Sequence, residues 1–159
     1  MFIYNDSLGI HFDGDSSMLS PQWDFDGVFE TLLWDGSKLL DLSEHKRRMS
    51  QSIEFLYKQE IGMPDLALLV PDLVKKNQMN GPARVRYTVS HKKSFFIHSV
   101  VVQSYREPST DAKLVTSSFH TEVNSPLRGH KSTYYKDYAE AYKAAVREKA
   151  DEAVIYNTQ

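Results

Sequence analysis

The sequence predicts an α+β fold: a small domain in which an antiparallel sheet is packed by two helices, followed by a helix and a strand that begin a second domain. Three observations predict it. Val85, Tyr87 and Val89 alternate with Arg84, Arg86 and Thr88, the period-two pattern of a half-buried strand, and the polar run 91–94 turns the chain into an apolar stretch at 95–102 that pairs with it antiparallel. Met49, Ile53 and Leu56 recur at helical spacing, as one buried stripe requires. Near the end, a helical stripe of tyrosines and alanines precedes a short apolar strand at 152–156.

Taken in order, residues 2–4 read as a strand, Asn5-Asp6-Ser7 as a turn, and residues 8–12 as the return strand. Asp13-Gly14-Asp15-Ser16-Ser17 invites a calcium-loop reading, but EF-hand spacing and a closing glutamate are missing, so a plain loop is expected. Residues 28–33 have the β-branched and aromatic content of a strand, and Asp35-Gly36 signals a two-residue hairpin into Leu39-Leu40. A helix is expected from Ser43, an N-cap residue, with Glu44 suited to the positive end of its dipole. His45, Arg48 and Ser52 lie near one another on a face beside its buried stripe.

Residues 66–74 predict a second helix in which Pro71 forces a kink or a new turn; Asn80-Gly81-Pro82 stops it. Residues 105–111 read as a loop and 113–118 as a strand. Residues 119–129 show little periodicity and contain Pro126 and Gly129, so they read as a linker. The expected division therefore falls near Thr121, with residues 1–120 a small α+β domain and 121–159 a linker and the beginning of the next. In the last helix Tyr135, Tyr138, Ala139, Tyr142, Ala145 and Val146 share a stripe read as core packing. The strand at 152–156 needs neighbours on both edges.

The chain has 159 residues, 41% of them hydrophobic, enough for one ordinary globular domain with a sizeable core. A formal net charge of -2 gives no electrostatic case for a nucleic-acid partner. With no cysteine, disulfide and thiolate chemistry are excluded, in keeping with a reducing compartment. No apolar run approaches the roughly 20 residues of a membrane span, and Met1-Phe2-Ile3-Tyr4 lacks a signal peptide's charged start. These features predict a soluble, cytoplasmic protein without membrane or metal partners.

The chemistry centres on Lys131. A lone lysine is most often a solvated charge, but this one follows the loop Ser125-Pro126-Leu127-Arg128-Gly129-His130, sits in the first turn of the expected last helix, and is followed by Tyr135 and the terminal strand. That order resembles the cofactor-lysine segment of the class IV aminotransferases, the fold-type-IV family that uses pyridoxal phosphate and includes branched-chain and D-amino-acid aminotransferases and aminodeoxychorismate lyase. A second match lies upstream. Gly27-Val28-Phe29-Glu30, Asp35-Gly36 and His45-Lys46-Arg47-Arg48-Met49 resemble the family's Gly-Val-Phe/Tyr-Glu strand, hairpin and His-x-x-Arg-Leu helix.

The resemblance implies an enzyme, a pyridoxal-phosphate-dependent aminotransferase or aminodeoxychorismate-lyase-like enzyme acting on an amino acid or keto acid through a lysine Schiff base at Lys131. It assigns the phosphate to Arg48, whose planar fork suits that group, with Arg47 the alternative should the register slip by one. His45 would support Arg48, or be an exposed first-turn histidine. Phe29 would line the site, or be plain core, and Arg86 would hold a substrate carboxylate. Homodimers are implied as well. Tyr134 stands where many relatives carry asparagine, and residues 89–91 read Val-Ser-His where D-amino-acid and lyase members have Thr-Arg-Gly. The resemblance covers about the first half of a typical member; the Gly-x-x-x-Glu segment that pairs with the pyridine nitrogen is not among these residues. The alternative is therefore a truncated, non-catalytic relative that serves as a dimerisation or binding module.

Overall fold

The computed structural model of the chain describes residues 1–6, 9–12, 27–92, 94–105, 107, 111–134 and 136–158. The acidic run 13–17, the loop residues 108–110 and Tyr135 lie outside them. Strands β1 (Phe2–Asn5), β2 (Gly9–Phe12), β3 (Gly27–Trp34), β4 (Ala83–Lys92) and β5 (Phe95–Ser104) form one antiparallel sheet in the order β2-β1-β5-β4-β3. Helices α1 (Leu42–Tyr57) and α2 (Leu66–Lys76) pack on one face of it.

The alternation read from the sequence places the core. Val85 pairs with Val102 and Tyr87 with Val100 across β4 and β5, so one face presents Val28, Leu32, Val85, Tyr87, Val89, Val100 and Val102 to Met49 and Ile53 of α1 and to Leu66, Val70 and Leu73 of α2. Each such side chain, fully buried, contributes about 1.5–3 kcal/mol.

Three local expectations are corrected. The turn after β3 has four residues rather than two: Trp34 bridges Leu39, and the Asp35 carboxylate accepts hydrogen bonds from the Ser37 and Lys38 amides at 2.7 and 2.9 Å. Only one bridge forms because α1 begins almost at once. Its N-cap is Asp41, at φ 50° and without a side-chain cap bond, so Ser43 lies inside the first turn. Helix α2 continues through Pro71 to Lys76, past the expected end at 74; the bond that Pro71 forgoes is the one to the Ala67 carbonyl, a single loss that the buried Leu66, Val70 and Leu73 outweigh.

A second, two-stranded sheet is built from β6 (Leu114–Glu122) and β7 (Glu152–Thr158), paired in parallel and joined through helix α3 (Lys136–Arg147). A parallel pair needs such a crossover. The β6 strand runs beyond residue 118 because its register shifts between Thr116 and His120, which erases the alternation a sequence reading looks for. The expected division between residues 120 and 121 falls inside this strand. Among the described residues, β7 has β6 as its one strand neighbour, not two.

The stripe expected on α3 is also corrected. Ala141 and Ala145 are buried, whereas Tyr138, Tyr142 and Val146 are 41%, 49% and 51% exposed. Alanines let the helix approach a two-stranded sheet closely; tyrosines on that face would hold it off. No helix among the described residues is long and apolar enough to cross a membrane.

Candidate active site

The site starts at the open edge of β3. Along it runs the segment 131–133: the Phe29 amide donates to the Lys131 carbonyl at 2.8 Å, the Thr133 amide to the Gly27 carbonyl at 2.8 Å, and Val28 bridges Ser132. Gly27 is needed here, because a Cβ on it would lie 2.5 Å from the Val89 carbonyl oxygen. Upstream, a 3₁₀ turn at Pro126–Gly129 ends with the His130 amide donating to the Leu127 carbonyl at 3.0 Å. Main-chain pairing with a strand therefore delivers Lys131, five residues before α3 begins, and not the first turn of a helix as the sequence order suggested.

The Lys131 amine lies 5.3 Å from the centre of the Phe29 ring, and the Arg86 guanidinium lies 4.0 Å from it. Phe29 is buried, so its ring carries two cations in the range where such contacts are worth about 0.5–2 kcal/mol each. Arg86 faces outward from β4 opposite Thr31, on the sheet face away from α1. Burial lowers the Lys131 amine's proton affinity, Glu30 raises it, and Arg48, Arg84 and Arg86 lower it again; the balance lies below the ordinary lysine value. An amine so shifted is neutral, and therefore nucleophilic, more of the time.

On the helix side, Arg48 forms a two-point ion pair with Glu30, from Nε to Oε1 at 2.6 Å and from Nη2 to Oε2 at 2.5 Å. His45 Nδ1 lies 2.8 Å from the same Oε2. That carboxylate can only accept, so Nδ1 carries the hydrogen, and the 3.3 Å approach of Arg48 Nη2 to His45 Nδ1 brings two donors together on one oxygen. Burial raises the Glu30 carboxyl's pKa, but the hydrogen bonds from Arg48 and His45 outweigh it and leave it below the usual range. Arg47 points elsewhere: it pairs with Glu44 at 2.8 Å and reaches Gln51 at 3.1 Å on the exposed side.

Arg48 and Lys131 line one cleft of about 730 Å³, together with His120, Thr121, His130 and Tyr138 among others. Of the residues singled out from the sequence, these two share the cleft, Phe29 and Arg86 adjoin Lys131 from the sheet, and His45 stands behind Arg48 on Glu30. No motif in the sequence assigns Glu30 a role. Its signal is burial: a carboxylate between Val28 and Leu32 on the apolar face of a strand must find a partner. His130 belongs to the loop before Lys131, and nothing in its spacing points to Ser52, 78 positions away.

The family of class IV amino-transferases matches residues 27–159. The chain belongs to that family. Its fold is similar to those of a hypothetical aminotransferase from Mycobacterium tuberculosis in its PLP-bound form (TM-score 0.71, 18% identity, covering 99% of this chain and 62% of that one) and of a branched-chain aminotransferase from Thermoproteus uzoniensis with norvaline (TM-score 0.74, 18% identity, 99% and 60%). It is also similar to a protein from Legionella pneumophila described as a 4-amino-4-deoxychorismate lyase (TM-score 0.70, 18% identity, 96% and 59%). These likenesses establish the fold-type-IV architecture, and the chain spans about three fifths of the length of the structures it matches. No curated protein matches it.

Proposed function

We propose that this class IV chain forms the lysine side of a pyridoxal-phosphate-dependent active site, for transamination or lyase chemistry on an amino acid or keto acid. The observation that carries the proposal is one cleft lined by both the Lys131 amine, whose proton affinity burial lowers, and a guanidinium held in fixed orientation, Arg48. When bound, pyridoxal phosphate supplies an aldehyde that takes an amine covalently and a ring that withdraws electrons from the substrate's α-carbon. The residues fit such a group. Glu30 occupies Nε and one hydrogen of Nη2 of Arg48, leaving both Nη1 hydrogens for a phosphate. Lys131 Nζ would hold the cofactor, and its amine would take and return the proton at the substrate's α-carbon. Phe29 and Arg86 border the amine where a substrate side chain and carboxylate would lie. The proposal extends to a soluble, cytoplasmic homodimer.

Titration with pyridoxal phosphate, read by the absorption band of the captured cofactor, tests this. Loss of charge-assisted hydrogen bonds of about 1.5–3 kcal/mol makes Arg48→Ala weaken uptake roughly ten- to a hundredfold, while Arg47→Ala stays near the parent. Equal effects contradict the assignment of Arg48. A chain that gives no band at all contradicts the enzyme reading and leaves the binding-module alternative.

A further inference from the structure

We propose that His130 is a positioning residue that holds the Lys131 amine in register with Arg48 by anchoring the lysine's own loop to helix α1. The inference rests on reading Lys131 as the cofactor lysine. Lys131 is tethered on its C-terminal side by main-chain bonds to β3, through Phe29 and Gly27. On its N-terminal side the tether is a side chain. His130 Nδ1 lies 3.0 Å from Ser52 Oγ, and its ring stacks on Phe55 with centres 4.4 Å apart and planes inclined by 24°.

The direction of the hydrogen bond follows from Ser52. Its hydroxyl has one hydrogen, donated to the Arg48 carbonyl at 2.9 Å, so Oγ accepts from His130 and the imidazole must carry its hydrogen on Nδ1. Ser52 is 4% exposed; a buried hydroxyl with both roles filled is a rigid joint. Arg48, Ser52 and Phe55 are spaced four and three apart, so they project from one face of α1. The residue that supports the arginine's backbone is thus the residue that grips the lysine's neighbour. Phe55, 46% exposed, gains a use as the platform for the His130 ring.

The position of Lys131 can be read without any cofactor, through the pH dependence of amine labelling, because its proton affinity depends on where it sits among Glu30, Arg48, Arg84 and Arg86. In the cofactor-free full chain, the labelling of Lys131 by an acylating reagent is followed against pH by peptide mass mapping. His130→Phe keeps a ring on Phe55 and removes the donor, Ser52→Ala removes the acceptor, and His130→Asn restores a donor. The expected result is a rise in the Lys131 labelling midpoint toward that of ordinary lysine in His130→Phe and in Ser52→Ala. The double variant should rise no further, and His130→Asn should return close to the parent. A midpoint unmoved in either single variant, with cooperative melting retained, overturns the proposal, and so do shifts that add in the double variant. Should His130→Phe fail to fold, Ser52→Ala alone decides. Failure of the parent chain to capture pyridoxal phosphate would overturn the functional reading instead, and it leaves the labelling comparison intact.

Discussion

Glu30 illustrates what a single side chain does here. It is 2% exposed on the core face of β3 and takes three contacts from Arg48 and His45, so it orients the guanidinium. Removing its charge strands two donors. We expect Glu30→Gln to reduce unfolding free energy by about 1–3 kcal/mol, measured by urea unfolding at neutral pH. The pH dependence follows from the sign of the shift. Because the folded pKa lies below the ordinary 4.5, the Glu30 contribution is fully present above that ordinary value and is lost as pH falls through the folded one. The gap between parent and Glu30→Gln should therefore close in acid; a gap that widens there contradicts the assignment. At this scale the sequence was partly legible. Lys131 and Arg48 stand in patterned segments, and Ser52 falls one helical turn after Arg48, whereas the pairings of Arg48 with Glu30 and of His130 with Ser52 join positions 18 and 78 apart, which no local spacing encodes.

Between the residues and the molecule stand the elements that carry them. The β4–β5 hairpin and the α1 stripe could be read directly because alternation and helical recurrence are properties of a short segment. The β6 strand and the buried face of α3 could not. The first is irregular between Thr116 and His120, and in the second the buried residues are the small Ala141 and Ala145 rather than the large tyrosines. Size alone does not tell which face of an amphipathic helix meets its sheet. The edge of β3 gives a prediction at this scale. A methyl at Gly27 would press on the Val89 carbonyl at 2.5 Å, and Gly27 also holds Thr133 through its carbonyl. Gly27→Ala should cost about 1–3 kcal/mol in thermal unfolding and weaken cofactor uptake at the same time. A variant with parent-like stability would show that the strand can move aside.

For the whole molecule, the five-stranded sheet with its two helices supplies Arg48 and Phe29, the parallel pair with α3 supplies the far wall, and the segment 131–133 is laid between them. A ligand that joins both walls binds only the folded chain. Pyridoxal phosphate at about a hundred times its dissociation constant should therefore stabilise the chain by about 2.7 kcal/mol, seen as a rise in melting temperature that Arg48→Ala loses at the same concentration. An unchanged melting temperature in the parent contradicts a shared cleft.

Borohydride fixation of pyridoxal phosphate, followed by peptide mass mapping over all lysines of the chain, tests the proposal that Lys131 takes the cofactor. A single modified peptide is expected, the one containing Lys131, and it disappears in Lys131→Ala. Label spread over the exposed lysines, or label that survives Lys131→Ala unchanged, would contradict it.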